Sequence, residues 1–132
     1  MKSPNIICKI EIFSSINSSE DPEKIKTAIL NIFPNAKIKI DKSSITINSK
    51  DLYLLEKIYD AIHSNKLQKM YQRQLEKNLK NDSTWFYINK QAAFVERIVI
   101  CDEVEESPLG PIKVTLTSSN IDSIIDWMVF GN

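Results

Sequence analysis

The 132-residue chain has the usual length of one globular domain, and its 42% of hydrophobic residues exclude a disordered chain. Its 17 basic and 17 acidic side chains cancel to a formal net charge of zero, which disfavours binding of nucleic acid mainly through phosphates. The sequence has no signal-peptide pattern and no run of about 18 apolar residues, so we expect no membrane association. Cys8 and Cys101 lie in separate apolar runs, which favours buried thiols in a reducing compartment over the alternative of a disulfide. We therefore expect a single cytoplasmic domain over residues 1–132.

The first quarter of the chain predicts a strand followed by a helix. Residues 6–13 alternate apolar and polar side chains, as a half-buried strand does. Asp21 can accept hydrogen bonds from free backbone N–H groups, and Pro22 suits a first turn where no N–H is needed. The helix is predicted to begin there and to end before Pro34.

A hairpin and a helical region follow. Residues 36–40 and 44–48 alternate and predict two paired strands. The side chains predicted to face the core are Ile38, Ile40, Ile45 and Ile47. Ser49 is the predicted cap of the next helix, whose apolar positions are Leu52, Leu55, Ile58, Tyr59 and Ile62. Helical spacing continues to Leu79, either as one long helix or as two with a break near Ser64.

The second half of the chain returns to strands before a final helix. Residues 84–88, 95–101 and 112–116 are the predicted strands, and Ser119 or Asn120 is the predicted cap of the helix. Several adjacent strands have connections too short for a parallel crossover. The order predicts a two-layer α+β fold, with a mainly antiparallel sheet and helices on one face.

No catalytic motif is present in the sequence. It lacks a glycine-rich phosphate loop and the signatures of zinc proteases and serine hydrolases. The single histidine, His63, has the position of a surface or boundary residue. The acidic run at residues 102–106 lacks the spacing of a calcium loop and is better explained as a solvated turn. We therefore expect a protein without enzymatic activity, cofactor or bound metal.

Five basic residues are spaced three or four positions apart, so they would share one face of a single helix. They are Lys66, Lys69, Arg73, Lys77 and Lys80. One hypothesis is that this basic segment follows the phosphate backbone of an RNA. The alternative, which we favour, is a solvated face paired with the acidic run, either in the same chain or in a partner.

Three consecutive aromatic residues occupy the strand predicted at residues 84–88. Because successive side chains of a strand point to opposite faces, Trp85 and Tyr87 share one side and Phe86 takes the other. If Trp85 and Tyr87 were exposed beside basic groups, they could stack on unpaired bases. Core packing is the commoner use of such aromatics, and it is the interpretation favoured by the sequence.

Four segments together resemble an archaeal family. They are Asp-Pro-Glu-Lys at 21–24, Asn-Ile-Phe-Pro at 31–34, Asn-Lys-Gln-Ala-Ala at 89–93 and Ser-Pro-Leu-Gly-Pro-Ile at 107–112. The sequence resembles uncharacterised protein family 0201 over nearly its whole length. The resemblance implies a fold like that of the ribosomal protein that contacts 5S ribosomal RNA, and RNA binding by analogy. It implies no catalytic residues.

Two of these segments also predict local structure. Pro108 and Pro111 bracket Gly110, which predicts a rigid turn with a positive φ at the glycine. Residues 89–93 are predicted to form a bend between two strands. Loops on rigid scaffolds often carry binding sites. The segment at 107–112 is therefore a candidate functional loop, and its candidate residues are Ser107, Pro108, Gly110 and Pro111.

Two hypotheses about function follow. The favoured one is an interaction or assembly domain with an unidentified protein partner. The apolar end containing Trp127 and Phe130 suggests a homodimer as one form of it. The alternative is an RNA-binding module that uses the basic segment.

Overall fold

Alternating side chains and short connections give this chain six strands and five helices. A computed structural model describes residues 1–131, apart from the side chain of Glu105. The strands are β1 Lys9–Ser15, β2 Lys39–Ile40, β3 Ser44–Ser49, β4 Ser83–Ile88, β5 Ile100–Cys101 and β6 Ile112–Thr117. The helices are α1 Pro22–Ile32, α2 Glu56–Ser64, α3 Gln68–Lys77, α4 Lys90–Phe94 and α5 Ile121–Phe130. Short 3₁₀ turns lie at Leu52–Leu55 and Val104–Glu106.

The strands form one sheet in the order β2-β3-β1-β6-β4-β5, and every pair of neighbours is antiparallel. The register places Phe13 of β1 opposite Thr46 of β3 and Lys113 of β6. Lys113 in turn lies opposite Tyr87 of β4. The predicted α+β class with a mainly antiparallel sheet is confirmed.

The core lies between one face of the sheet and the helices. From β1, β4 and β6 it takes alternate residues, namely Ile10, Ile12, Phe86, Ile88, Val114 and Leu116. The helices contribute Ile25, Ile29, Ile58, Ile62, Leu75, Ile124 and Met128 to the same cluster. Cys8 and Cys101 are buried free thiols, as predicted. Within residues 1–131, none of the helices combines the length and the apolar character needed to cross a membrane.

The first helix forms as the sequence predicts, and the hairpin after it differs in detail. Asp21 accepts a hydrogen bond from the backbone N–H of Glu23 and Pro22 occupies the first turn. Strand β2 is only two residues long and lies at the sheet edge, so Ile40 is 46% exposed and its predicted place in the core is wrong. The predicted cap Ser49 is also wrong, because Asp51 accepts from the N–H of Tyr53 at the start of the 3₁₀ turn.

The helical region from 52 to 79 is broken rather than continuous. Helix α2 ends at Ser64 and α3 begins at Gln68. Between them Lys66 has a φ of 56°, in the left-handed region that interrupts a right-handed helix. The periodicity left open one long helix or two helices with a break near Ser64, and the structure has two helices.

The segment after β4 is a helix, so the predicted bend at residues 89–93 is wrong. Asn89 accepts a hydrogen bond from the N–H of Ala92 and caps helix α4. The strand predicted at 95–101 shortens to Ile100–Cys101, because the turn that ends α4 occupies residues 95–96 and residues 97–99 do not pair with the sheet. Helix α5 follows β6, as predicted, with Trp127 and Met128 buried in the chain's own core.

Candidate nucleic-acid interface

The face of the sheet opposite the helices carries three outward-pointing aromatic side chains, one exposed and two half-buried. Because Ile10 and Ile12 of β1 point into the core, Phe13, which follows Ile12, points outward and is 47% exposed. The same alternation turns Trp85 and Tyr87 of β4 outward, half-buried, while Phe86 points into the core. The prediction that Trp85 and Tyr87 share one side is confirmed, and that side faces away from the core.

A lysine lies among these rings. The ammonium of Lys113 is 4.9 Å from the centroid of the Trp85 ring, within the range of a cation–π interaction. The Trp85 and Tyr87 ring centroids are 4.8 Å apart, with their planes inclined at 50°. Phe13, Trp85, Tyr87 and Lys113 are called the aromatic face below.

Charges around the aromatic face leave it modestly positive. Lys9 and Glu11 of β1 form an exposed ion pair of 3.8 Å, so they largely cancel. Lys39 of the edge strand β2 is exposed and lies opposite Thr46, in the same cross-strand row as Phe13 and Lys113. The arrangement provides flat apolar surfaces for stacking and a small number of cations for anionic groups.

The structure does not place the five predicted basic residues on one helix. Lys69, Arg73 and Lys77 lie on α3, whereas Lys66 precedes the helix and Lys80 follows it. All five are exposed, but the continuous ridge that the spacing predicted is interrupted at both ends. The cause is the end of α3 at Lys77 and the left-handed backbone at Lys66.

Part of this basic segment is paired with the acidic run. The Arg73 Nη2 atom is 3.3 Å from Oδ1 of Asp102, and the side chain of Gln74 donates to the same carboxylate oxygen. The ion pair matches the alternative in which the segment and the run balance each other within the chain. Both partners are exposed, so the pair stabilises the fold only slightly.

Two of the four segments that carry the family resemblance, 89–93 and 107–112, meet around a buried lysine. The Lys90 ammonium donates to the backbone carbonyls of Ser15 and Leu109, at 2.8 and 3.1 Å, and to Glu20 Oε1 at 3.1 Å. An ammonium has three N–H donors, so these three acceptors use its full capacity. The Lys90 and Glu20 side chains are only 2% and 7% exposed, which makes this a buried ion pair.

The candidate functional loop is held by the same cluster. Ser107 Oγ accepts a hydrogen bond from the N–H of Lys90 at 3.1 Å, and Gln91 Nε2 donates to the carbonyl of Pro108 at 2.7 Å. Gly110 has a φ of +92°, so the predicted positive φ is confirmed. Ser107 is buried and Gly110 is half-buried, so the loop's polar groups serve internal contacts.

The hydrogen bonds around Glu20 keep its carboxylate ionised. Burial alone would raise the pKa of Glu20, but the backbone and side-chain N–H groups of Asn17 and the nearby ammonium of Lys90 outweigh it. The net effect lowers the pKa of Glu20 below its usual value. The Glu20 carboxylate therefore carries its negative charge at neutral pH.

Several residues of these sites escaped the sequence analysis. Phe13 carried a usable signal, because it stands on the polar side of a strand whose other face is isoleucine. In β6 Lys113 alternates with Ile112 and Val114, so its outward direction was predictable. Lys90 and Glu20 carried none, since their pairing joins residues 70 positions apart and depends on the tertiary fold.

Comparisons with known proteins agree with this fold. A family model described as RNA binding matches residues 9–118, from the start of β1 to just beyond β6. A UPF0201 protein of Methanothermobacter thermautotrophicus is 33% identical over 120 residues, which cover 91% of this chain and 89% of that protein. A UPF0201 protein of Sulfurisphaera tokodaii is 36% identical over 124 residues, covering 91% and 86%.

Solved structures give the same picture. The crystal structure of a UPF0201 protein from Methanococcus jannaschii superposes with a TM-score of 0.78 at 29% identity, over 92% of each chain. A DUF54 protein of Archaeoglobus fulgidus, only 17% identical, shares the fold with a TM-score of 0.74 over 93% of this chain and 96% of that one. The likeness to the 5S RNA-binding ribosomal protein stays a prediction. With relatives above 30% identity that it covers over most of their length, the chain belongs to the UPF0201 family of archaeal proteins.

Proposed function

We propose that this protein binds RNA through the helix-free face of its sheet, with Phe13, Trp85, Tyr87 and Lys113 as contacts. The observation that carries the proposal is the outward orientation of three aromatic rings beside a lysine. Each of these side chains lies within residues 9–118, the region matched by the family model described as RNA binding. Exposed rings next to a cation are what a sheet uses to bind bases and phosphates.

The basic segment supports RNA binding less well than the aromatic face. Its residues are divided between α3 and the turns on either side, and Arg73 is engaged by Asp102. In contrast, the three aromatic rings and Lys113 lie on the neighbouring strands β1, β6 and β4 of one sheet. The aromatic face supplies stacking surfaces and a cation rather than a nucleophile with a base, so the proposal keeps the prediction of a non-enzymatic role.

The hypothesis of an assembly domain loses one of its supports. The apolar C-terminal residues that suggested a homodimer are mostly internal, since Trp127 and Val129 are buried in the chain's own core. Phe130 is 51% exposed, but it is a single side chain. We therefore propose RNA as the partner, in place of the protein partner that the sequence favoured.

The test compares two variants on one RNA that contains both a hairpin stem and an unpaired tail. Binding is measured by fluorescence anisotropy with a fluorescein label on the RNA. Phe13→Ala combined with Trp85→Ala should weaken binding at least tenfold. The triple variant Lys69→Glu, Arg73→Glu and Lys77→Glu should stay within about threefold of the wild type. The reverse order of effects would move the interface to α3 and overturn the proposal.

Salt dependence gives a second discriminator. Two phosphate contacts, from Lys113 and Lys39, predict a slope of log K against log salt of about −1.4, whereas five contacts from the basic segment predict about −3.5.

Phe94→Ala is the matched control, because Phe94 on α4 is 42% exposed but lies away from the aromatic face. It should bind RNA like the wild type.

A further inference from the structure

We infer that the RNA is unpaired where it meets the aromatic face, with one base stacked on Phe13 and a second on the Trp85–Tyr87 pair, and with Lys113 contacting a phosphate between them. This inference rests on the proposed function, because it specifies the class of RNA that the same face would hold.

The first step is the spacing of the rings. Phe13, Lys113 and Tyr87 lie directly opposite one another on the consecutive strands β1, β6 and β4. Neighbouring strands are about 4.8 Å apart, so the two aromatic positions are separated by roughly 10 Å with the lysine midway. Successive bases of a stacked helical strand are only about 3.4 Å apart along the axis. Two bases that occupy both positions must therefore be spread apart and unstacked from each other.

The second step is the accessibility of base faces. In a double helix each base is covered above and below by its neighbours, so an aromatic side chain can reach only the edges in the grooves. A-form RNA also has a major groove too narrow for side chains to read. The outward rings of this sheet therefore match the flat faces of unpaired bases and have no equivalent target in a duplex.

The third step is the low positive charge of this surface. Proteins that bind duplexes rely on many phosphate contacts, but here Lys9 is paired with Glu11 and the whole chain is neutral. Affinity must then come mainly from stacking, which strengthens binding by about tenfold per base. The Lys113 ammonium lies over the Trp85 ring, and its flexible stem lets it move aside for a base stacked there and reach the neighbouring phosphate.

The structure provides an internal reporter of base stacking. The chain has two tryptophans, and Trp127 is buried with its indole N–H bonded to the carbonyl of Lys2. Quenching of tryptophan fluorescence by an added base therefore reports Trp85. Trp85→Phe should retain binding within about threefold, because a ring remains for stacking, and should lose the quenching.

The experiment uses a fluorescein-labelled eight-nucleotide RNA of mixed sequence, tested alone and annealed to its complement. The single strand should bind at least tenfold more tightly than the duplex and should quench Trp85. Phe13→Leu, which removes the ring but keeps an apolar side chain, should weaken single-strand binding about tenfold. Lys113→Gln should reduce the magnitude of the salt slope by about 0.7, whereas Lys24→Gln, at an exposed lysine on helix α1 on the other side of the sheet, should leave it unchanged. Circular dichroism of each variant checks that it is folded.

Each contrary outcome has a distinct meaning. If the duplex binds as tightly as the single strand and Phe13→Leu still weakens both, the protein binds RNA through this face but the inference about unpaired bases is wrong. If the single strand is preferred but Phe13→Leu binds normally, the placement of a base on Phe13 is wrong. If neither form binds, even at low salt, the inference and the proposed function both fail.

Discussion

The aromatic face and the cluster around Lys90 depart from the ordinary distribution of residues in opposite directions. On the aromatic face apolar rings lie toward water, with Phe13 47% exposed, whereas around Lys90 an ammonium and a carboxylate are almost fully buried. The buried pair has its hydrogen bonds satisfied by the chain itself, so the requirements of folding explain it. The outward rings bury only part of their surface in the fold, and we propose that a partner outside the chain covers the rest.

The two regions adjoin at one end of β1. Ser15, whose carbonyl accepts from Lys90, is two residues from Phe13 on the same strand. The turn containing Gly110 also packs closely against Ser15. A Cβ atom added at Gly110 would lie only 3.0 Å from the hydroxyl oxygen of Ser15. The buried cluster thus fixes the end of the strand that presents Phe13, and its contribution to any RNA site is through position rather than contact.

The largest predicted effect concerns the buried side of this comparison. Lys90→Met leaves the Glu20 carboxylate buried without its cation, and removing one partner of a buried pair costs about 3–5 kcal/mol. The free energy of unfolding, measured by urea denaturation at pH 7, should fall by that amount. The matched control is Lys57→Met, since the Lys57 ammonium also donates to a backbone carbonyl, that of Asn31, but from an exposed position.

The control variant should lose less than about 1 kcal/mol. The double variant Lys90→Met with Glu20→Gln should recover part of the loss, because the stranded charge is then removed. A cost below about 1 kcal/mol for Lys90→Met would break the comparison. The buried pair would then contribute little to folding, and a functional reason for it would have to be sought.

The sequence predicts the regular part of this fold well because its signals are local. The alternation in β1, β4 and β6 and the cap at Asp21 depend on neighbouring residues and appear as predicted. Helix α4 was missed because five residues are too few for a periodic pattern, and its formation depends on the cap supplied by Asn89. The break before α3 was left open because no glycine or proline marks it.

The candidate site was only half predictable, for a physical reason. Alternation shows that Trp85 and Tyr87 share a side, but a strand pattern with apolar residues on both faces does not say which face the helices cover. The neighbours of these rings come from other strands, since Phe13 lies 72 residues before Trp85 and Lys113 lies 28 residues after it. Their meeting depends on the strand order, which local patterns do not determine.

An intermediate effect is predicted for pH. Because the pKa of Glu20 is lower in the folded chain than in the unfolded one, the carboxylate stabilises the fold above its unfolded pKa. That stability is lost as the pH falls through the folded pKa, where the carboxylate takes up a proton and the attraction to Lys90 disappears. The free energy of unfolding should therefore decline once the pH drops below about 4.5, the usual pKa of a glutamate side chain, and continue to decline through the lower folded pKa.

The variant Glu20→Gln separates this effect from other carboxylates. Asp41, whose pKa is lowered by hydrogen bonds from Ser43 and Ser44, should leave a residual pH dependence in it. Urea denaturation at four pH values should give a shallower decline for Glu20→Gln than for the wild type. Parallel curves for the two proteins would show that the buried pair does not couple protonation to folding.

The smallest predicted effect concerns the exposed side of the comparison. Phe13→Ser removes a ring that is nearly half exposed, so the free energy of unfolding should change by no more than about 1 kcal/mol, in the range of cross-strand pair contributions. The matched control is Phe86→Ser, on the buried face of β4, where the loss of core packing should cost more than about 3 kcal/mol. Thermal and urea denaturation of both variants measure the difference.

If Phe13→Ser were as costly as a core substitution, the ring would belong to the fold and the case for a partner on this face would weaken. If the cost is small while RNA binding falls tenfold, the exposed ring serves recognition at little expense to stability, in contrast to the buried pair behind it.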